Sequence, residues 1–118
     1  MAEFYFKKSL GQNFLNDKNV INKIVESAKI DKETLVIEIG PGGGAITELL
    51  VPKSLYTLLY EADSRLEEPL RKLLQYNDNY DGNYIAVLIN NKWGIYNISG
   101  ERIVPIEYDS DKLCGKEI

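Results

Sequence analysis

A chain of 118 residues is long enough for one small domain, or for two very small units that share a core. It has no histidine, a single cysteine at Cys114 and a net charge of −4. These facts exclude an internal disulfide, remove the commonest general base and zinc ligand, and argue against a nucleic-acid binder that works by charge alone.

The charge is unevenly spread. Through Leu74 there are ten Lys/Arg against eleven Asp/Glu, and after it four against seven. Any RNA contact therefore belongs to the Lys7–Lys8 end. No window approaches the roughly 18–20 apolar residues of a membrane span. No apolar run follows Lys7 and Lys8 as it does in a secretory signal. The expectation is a cytoplasmic protein with no membrane association and no metal site.

Asn16 or Asp17 caps a predicted helix that runs to about Lys29. Val20, Ile21, Ile24, Val25 and Ala28 recur at helical spacing and form one apolar stripe. Thr34 to Ile39 is a short β-branched run and predicts a buried strand. Gly40-Pro41-Gly42-Gly43-Gly44 is a tight turn, after which Ala45 to Leu50 predicts a helix that Pro52 stops or kinks. Leu55 to Tyr60 predicts a second strand, and Ser64-Arg65-Leu66-Glu67 is a capping-box pattern. Leu66, Leu70, Leu73 and Leu74 then share a helical face, with a short turn and a restart expected near Pro69. Strand, glycine turn, helix, strand, helix is the beginning of a doubly wound parallel sheet.

The rhythm changes across Gln75 to Asp81, a polar stretch that predicts a junction. Tyr84 to Ile89, Trp93 to Ile98 and Arg102 to Ile106 are three short β runs separated by Asn90-Asn91-Lys92 and Ser99-Gly100, both turn chemistry. With nothing helical between them, they predict an antiparallel meander. The expected fold class is α/β: a truncated Rossmann-like half (βαβα with a leading helix) followed by a three-stranded antiparallel β meander. Residues 1–76 would form the first unit and residues 77–118 the second.

The sharpest chemical feature is Glu38-Ile39-Gly40-Pro41-Gly42 at the end of a strand. Gly40 and Gly42 let backbone approach a ligand, and the helix after Gly44 would aim its N–H groups into the crevice. Glu61 ends the next strand, where a carboxylate can accept both hydroxyl hydrogens of a ribose. That pairing describes a nucleoside-bearing cofactor. Its spacing alone does not separate a dinucleotide from S-adenosyl-L-methionine. The bland alternative is a glycine-rich turn with Glu61 as a solvated strand end.

A longer set of residues is more specific. Lys7-Lys8-Ser9-Leu10-Gly11-Gln12-Asn13-Phe14-Leu15 resembles the opening signature of the ribosomal RNA adenine dimethyltransferase family, which includes macrolide-resistance methylases, and Asp17-Lys18-Asn19-Val20-Ile21 continues it. Val36 to Gly42 is similar to that family's cofactor loop, with Ala45-Ile46-Thr47-Glu48-Leu49 at the usual distance. Tyr60-Glu61-Ala62-Asp63 and Arg65-Leu66 resemble the acidic segment after its second strand. The resemblance implies S-adenosyl-L-methionine as cofactor and ribosomal RNA as partner. It places cofactor contacts on four positions. Asn13 and Leu15 would lie near the methionine end, Gly40 would line the loop, and Glu61 would hold the ribose. The alternative for Asn13-Phe14-Leu15 is a hydrophobic staple before the first helix, with Phe14 in the core. Gly43 stands where the family usually has a larger apolar residue, which loosens the loop.

The family's chemistry also needs a later Asn-Leu-Pro-Tyr or Asn-Ile-Pro-Tyr motif to hold the target adenine. None of Pro41, Pro52, Pro69 and Pro105 has that context. The resemblance covers roughly the first third of a full enzyme and implies a truncated chain, without catalytic residues, that is inactive alone. A second resemblance follows. Tyr80-Asp81-Gly82-Asn83-Tyr84 through Tyr108-Asp109, with Lys92-Trp93-Gly94-Ile95-Tyr96 at its centre, looks like a single WG repeat. Such repeats are usually interaction modules in tandem arrays. Alternatives to the enzyme reading are therefore a noncatalytic WG-type binding protein, a fusion product or a relic without function. An open sheet edge and a thin core would favour self-association.

Overall fold

In the computed structural model, which describes residues 17–108, Asp17 opens the first helix. Its carboxylate accepts from the N–H groups of Asn19 (3.0 Å) and Val20 (3.3 Å), two donors that a helix start leaves without partners. Helix α1 runs Lys18–Ala28 and ends at Lys29, which takes a left-handed conformation (φ 51°). Only Ile21 and Val25 of the predicted stripe are buried; Val20 and Ile24 remain exposed. The stripe is wider than the contact that the described residues offer it.

Strand β1 (Leu35–Ile39) follows, and then helix α2 (Thr47–Leu50). The helix is shorter than the predicted Ala45–Leu50. At Val51–Lys53 the chain tightens into a 3₁₀ turn that carries Pro52 at its start, where a missing N–H costs little. Strand β2 (Tyr56–Glu61) comes next. The predicted cap at Ser64 falls one residue earlier. Asp63, in an extended conformation, accepts the Arg65 N–H at 3.0 Å and starts a 3₁₀ turn, Ser64–Leu66. Helix α3 (Glu67–Leu73) restarts from that turn and holds Pro69 within its own first turn, as the proline requires.

Strands β3 (Tyr84–Ile89), β4 (Lys92–Tyr96) and β5 (Arg102–Tyr108) complete one sheet in the order β1-β2-β3-β4-β5. β1 pairs with β2 in parallel, and β2 with β3 in parallel. The β3–β4 and β4–β5 pairs are antiparallel, so the meander is present. β3 belongs to both patterns: it is the third parallel strand and the first of the meander. The β3–β4 turn is Asn90-Asn91, both at positive φ (52° and 63°), the conformation that a two-residue hairpin between right-twisted strands requires.

The core lies on one face of this sheet. Leu66, Leu70 and Leu74, spaced by four, cover Leu59 on β2 and Ile85 and Val87 on β3, with Val51 alongside. β1 departs from the buried strand predicted. Its Leu35, Ile37 and Ile39 are exposed, because β1 is an edge and no described element covers their face.

The polar junction is mostly exposed but sends one side chain inward, and a second amide just beyond it is buried as well. Asn77 and Asn83 are buried. Asn77 donates from Nδ2 to the carbonyls of Val51 and Ser54, both at 2.6 Å. Asn83 accepts the Thr57 N–H (2.7 Å) and donates to the Leu74 carbonyl (2.8 Å). The two amides staple the segment after α3 to the start of β2, and in doing so set where β3 begins. Arg71 adds a tie from α3 to the Ile98 carbonyl (2.8 Å), between β4 and β5.

Two substitutions test this assignment of the interior. Leu70→Ala should lower unfolding free energy by about 2–5 kcal/mol in chemical denaturation. Asn83→Ala should cost a comparable amount without removing apolar area, since it strands the Thr57 N–H and the Leu74 carbonyl at about 1–3 kcal/mol for each buried group. An Asn83→Ala chain as stable as the parent would remove the amide staple from the account.

Candidate functional site

The parallel β1–β2 pair ends in register, Ile39 opposite Tyr60, and the chain leaves β1 as a glycine turn directly beside the end of β2. The Gly40 N–H donates to the Tyr60 carbonyl at 2.8 Å, which extends the ladder by one bond into the loop. Gly40 takes φ 68°, a region that side-chain-bearing residues avoid, and no heavy atom of the described residues lies within 4 Å of the place a Cβ would occupy. Gly44 does the opposite. A Cβ there would overlap the Leu73 side chain, so the far end of the loop is seated tightly on α3.

Glu61 meets this turn from the end of β2. Its side chain is buried, not solvated. One carboxylate oxygen accepts the Gly42 N–H at 3.1 Å and the other accepts the Asp63 N–H at 2.8 Å. The sequence-predicted pair Gly40 and Glu61 is thus brought together at the ends of β1 and β2. Asn13 and Leu15 lie outside the described residues. The helix expected to aim its N–H groups at the crevice amounts to the four residues of α2, and its dipole contributes little.

Two further residues stand at the same place. Glu38, next to last on β1, accepts the hydroxyl of Thr47 at 2.6 Å, and Thr47 is completely buried. Burial raises the Glu38 carboxyl above its ordinary value; the Thr47 hydrogen bond pulls it down, and the charge of Glu61 raises it further. Two carboxylates that feel one another therefore lie at the ends of β1 and β2. The signal for this pair was present in the sequence as an acid inside an apolar strand, but its partner Thr47 is nine residues away across the glycine turn. Asp63 is occupied structurally: it caps the turn and holds the Arg65 guanidinium, with the closest contact 2.6 Å. Trp93 packs edge-on against Tyr60, with ring centroids 5.6 Å apart, as a packing residue would. Among the described residues no group of acids, cysteines or histidines is arranged to hold a metal, and no helix is long and apolar enough to cross a membrane.

Comparison with known proteins agrees with this geometry. The family model described as ribosomal RNA adenine dimethylase matches residues 3–85. The chain is 51% identical over 76 residues to the ribosomal RNA small subunit methyltransferase A of Streptococcus equi subsp. zooepidemicus, and equally to that of Streptococcus sanguinis. In both cases the match covers 64% of this chain but only 26% of the relative, so the chain spans about a quarter of the length of these proteins. Among solved structures, a dimethyladenosine transferase from Plasmodium falciparum superposes with a TM-score of 0.57 at 28% identity, over 68% of this chain and 29% of that one. The 23S rRNA methyltransferase ErmE superposes with a TM-score of 0.51 at 36% identity, over 64% of this chain and 29% of its own. A mixed α/β sheet with methyltransferase neighbours, a glycine turn sealed by a buried acid, and a family match over most of the sequence lead to one statement: the chain belongs to the ribosomal RNA adenine dimethylase family.

Proposed function

We propose that the crevice outside the ends of β1 and β2 holds S-adenosyl-L-methionine, and that the chain represents the donor-site part of an rRNA adenine N6-dimethyltransferase. Asn13 and Leu15 would bind near the methionine end, Gly40 would line the loop, and Glu61 would take the ribose hydroxyls. The observation that carries this reading is the Gly42 N–H on the Glu61 carboxylate at 3.1 Å, which makes loop and acid one wall. The acceptor count also fits. A carboxylate offers about four lone-pair directions, and two are used by backbone N–H groups, leaving two for a vicinal diol. The open space above Gly40 is where a ligand would come close to backbone.

When bound, this cofactor supplies a methyl group on a positively charged sulfur. Glu38 and Glu61 favour that charge at the crevice. Nothing in this sequence matches the Asn-Leu-Pro-Tyr motif that would hold an adenine in line with the methyl. Much of the rate of such a transfer comes from positioning, so this chain on its own does not methylate. The RNA partner, the site of action in the cytoplasm and the absence of a membrane role follow from the family reading.

Residues 1–76 are read as the donor-site unit and residues 77–118 as a WG-repeat-like unit. The antiparallel β3–β4–β5 meander and its two-residue Asn90-Asn91 turn support the second assignment. A noncatalytic binding role for the meander is the alternative if the crevice takes no ligand.

Calorimetry on the full chain should give saturable heat with S-adenosylmethionine and with S-adenosylhomocysteine. Glu61→Ala should lose both while still unfolding cooperatively; no heat from the parent chain would leave the binding-module and relic readings. Labelled methyl transfer to rRNA should stay at the no-protein background, and transfer above it would refute the inactivity. Charge predicts a further contrast. As pH falls through the raised pKa of Glu38, its negative charge is lost, so the preference for the sulfonium over the neutral thioether should shrink. Glu38→Gln should show that reduced preference at neutral pH already; an unchanged preference would take Glu38 out of the site.

A further inference from the structure

The two edges of the sheet are unlike. At the far edge, β5 contains Arg102 and Pro105, and its pairing with β4 is interrupted by register shifts. A charge, a proline and a broken ladder all blunt an edge against further pairing. At the near edge, β1 reads Leu35-Val36-Ile37-Glu38-Ile39, with no lysine, no proline and an unbroken ladder to β2. Its one charged side chain, Glu38, lies on the covered face and is already bonded to Thr47. Leu35, Ile37 and Ile39 share the opposite face and are 65%, 65% and 82% exposed. Tyr56, the register partner of Leu35, extends that apolar face and is 40% exposed. No described strand occupies the free edge of β1.

We infer that β1 pairs antiparallel with β1 of a second copy, about a two-fold axis at Ile37, to give one continuous sheet across two chains. Self-complementarity selects this occupant. A two-fold contact requires one patch to match itself, and β1 does so in one register only. Centred on Ile37, Leu35 meets the partner's Ile39, Ile37 meets the partner's Ile37, and Glu38 meets the partner's Val36. All five residues are paired and no acid faces an acid. Moving the centre to Glu38 sets carboxylate against carboxylate, which is unfavourable across a strand pair. Moving it to Val36 leaves Glu38 and Ile39 beyond the ladder. Centres between residues would pair side chains of opposite faces, which the pleat forbids. One five-residue edge and its apolar row fall short of the roughly 800 Å² per partner of a standard interface. The dimer therefore dissociates on dilution. This inference is independent of any cofactor.

Sedimentation equilibrium of the full chain, from low micromolar to near-millimolar concentration, should show the mass rising reversibly from one chain to two. Ile37→Lys should hold it at one chain with an unchanged circular dichroism spectrum, since Ile37 is a mostly exposed side chain. An independent readout comes from oxidative cross-linking in a Cys114→Ser background. Ile37→Cys lies on the axis and should form a covalent dimer, whereas Tyr56→Cys, one strand away, should not. A parent chain that stays at one-chain mass throughout leaves this edge to some other protein and overturns the inference. So would growth beyond two chains, association indifferent to Ile37→Lys, or equal cross-linking from both cysteine positions.

Discussion

A buried carboxylate is costly unless its oxygens are satisfied, and Glu61 meets that condition with two backbone N–H groups from opposite sides. One is in the glycine turn after β1 and the other is in the turn after β2. The same side chain therefore fixes the end of the loop, the start of the segment leading to α3, and the distance between them. Gly40 contributes a ladder bond to β2 and Gly44 contributes a close seat on Leu73, so the loop is held at three points. What the described residues leave unfilled is the space above Gly40. An ordered turn with an open top is what a ligand-binding loop needs, because little of the loop must be organised when the ligand arrives.

Among the described residues the sheet is finished on one side only. Leucines from α3 and its flanking 3₁₀ turns cover β2 and β3, while the opposite face of β1 faces outward. Parallel strands are ordinarily covered on both faces. The relatives are about four times longer than the matched segment, and the exposed row Leu35, Ile37 and Ile39 lies where this chain has no described element to spare. The apolar character of β1 makes sense for a strand with neighbours on both sides. Here it has one.

Much of this was readable beforehand, and the failures share a cause. The leucine row 66, 70, 74 announced its helix through spacing alone, and the turn at Gly40 through composition alone; both signals are local. Exposure of β1 was not readable, since Leu35-Val36-Ile37 looks the same whether or not another element lies beside it. Nothing local marks Asn77, in the polar junction, or Asn83, at the start of the WG-like segment, as buried. Their burial depends on carbonyls at Val51, Ser54 and Leu74, which only the fold brings near. The cap moved from Ser64 to Asp63 because the first turn is 3₁₀, a choice made by how Asp63 grips Arg65. At the site, Gly40 and Glu61 followed from motif spacing, whereas the link between Glu38 and Thr47 crosses a turn whose path the sequence does not state.

The third strand has modest entry requirements. It needs an amide at position 83 to engage Thr57 and Leu74, and inward apolar side chains at positions 85 and 87 to meet the leucines of α3. Beyond that, β3 accepts an antiparallel neighbour as readily as it joined a parallel one. A scaffold so undemanding at one slot is permissive to interchange: β segments meeting those few conditions could be spliced there while the β1–β2 pair and the glycine turn between them keep their shape.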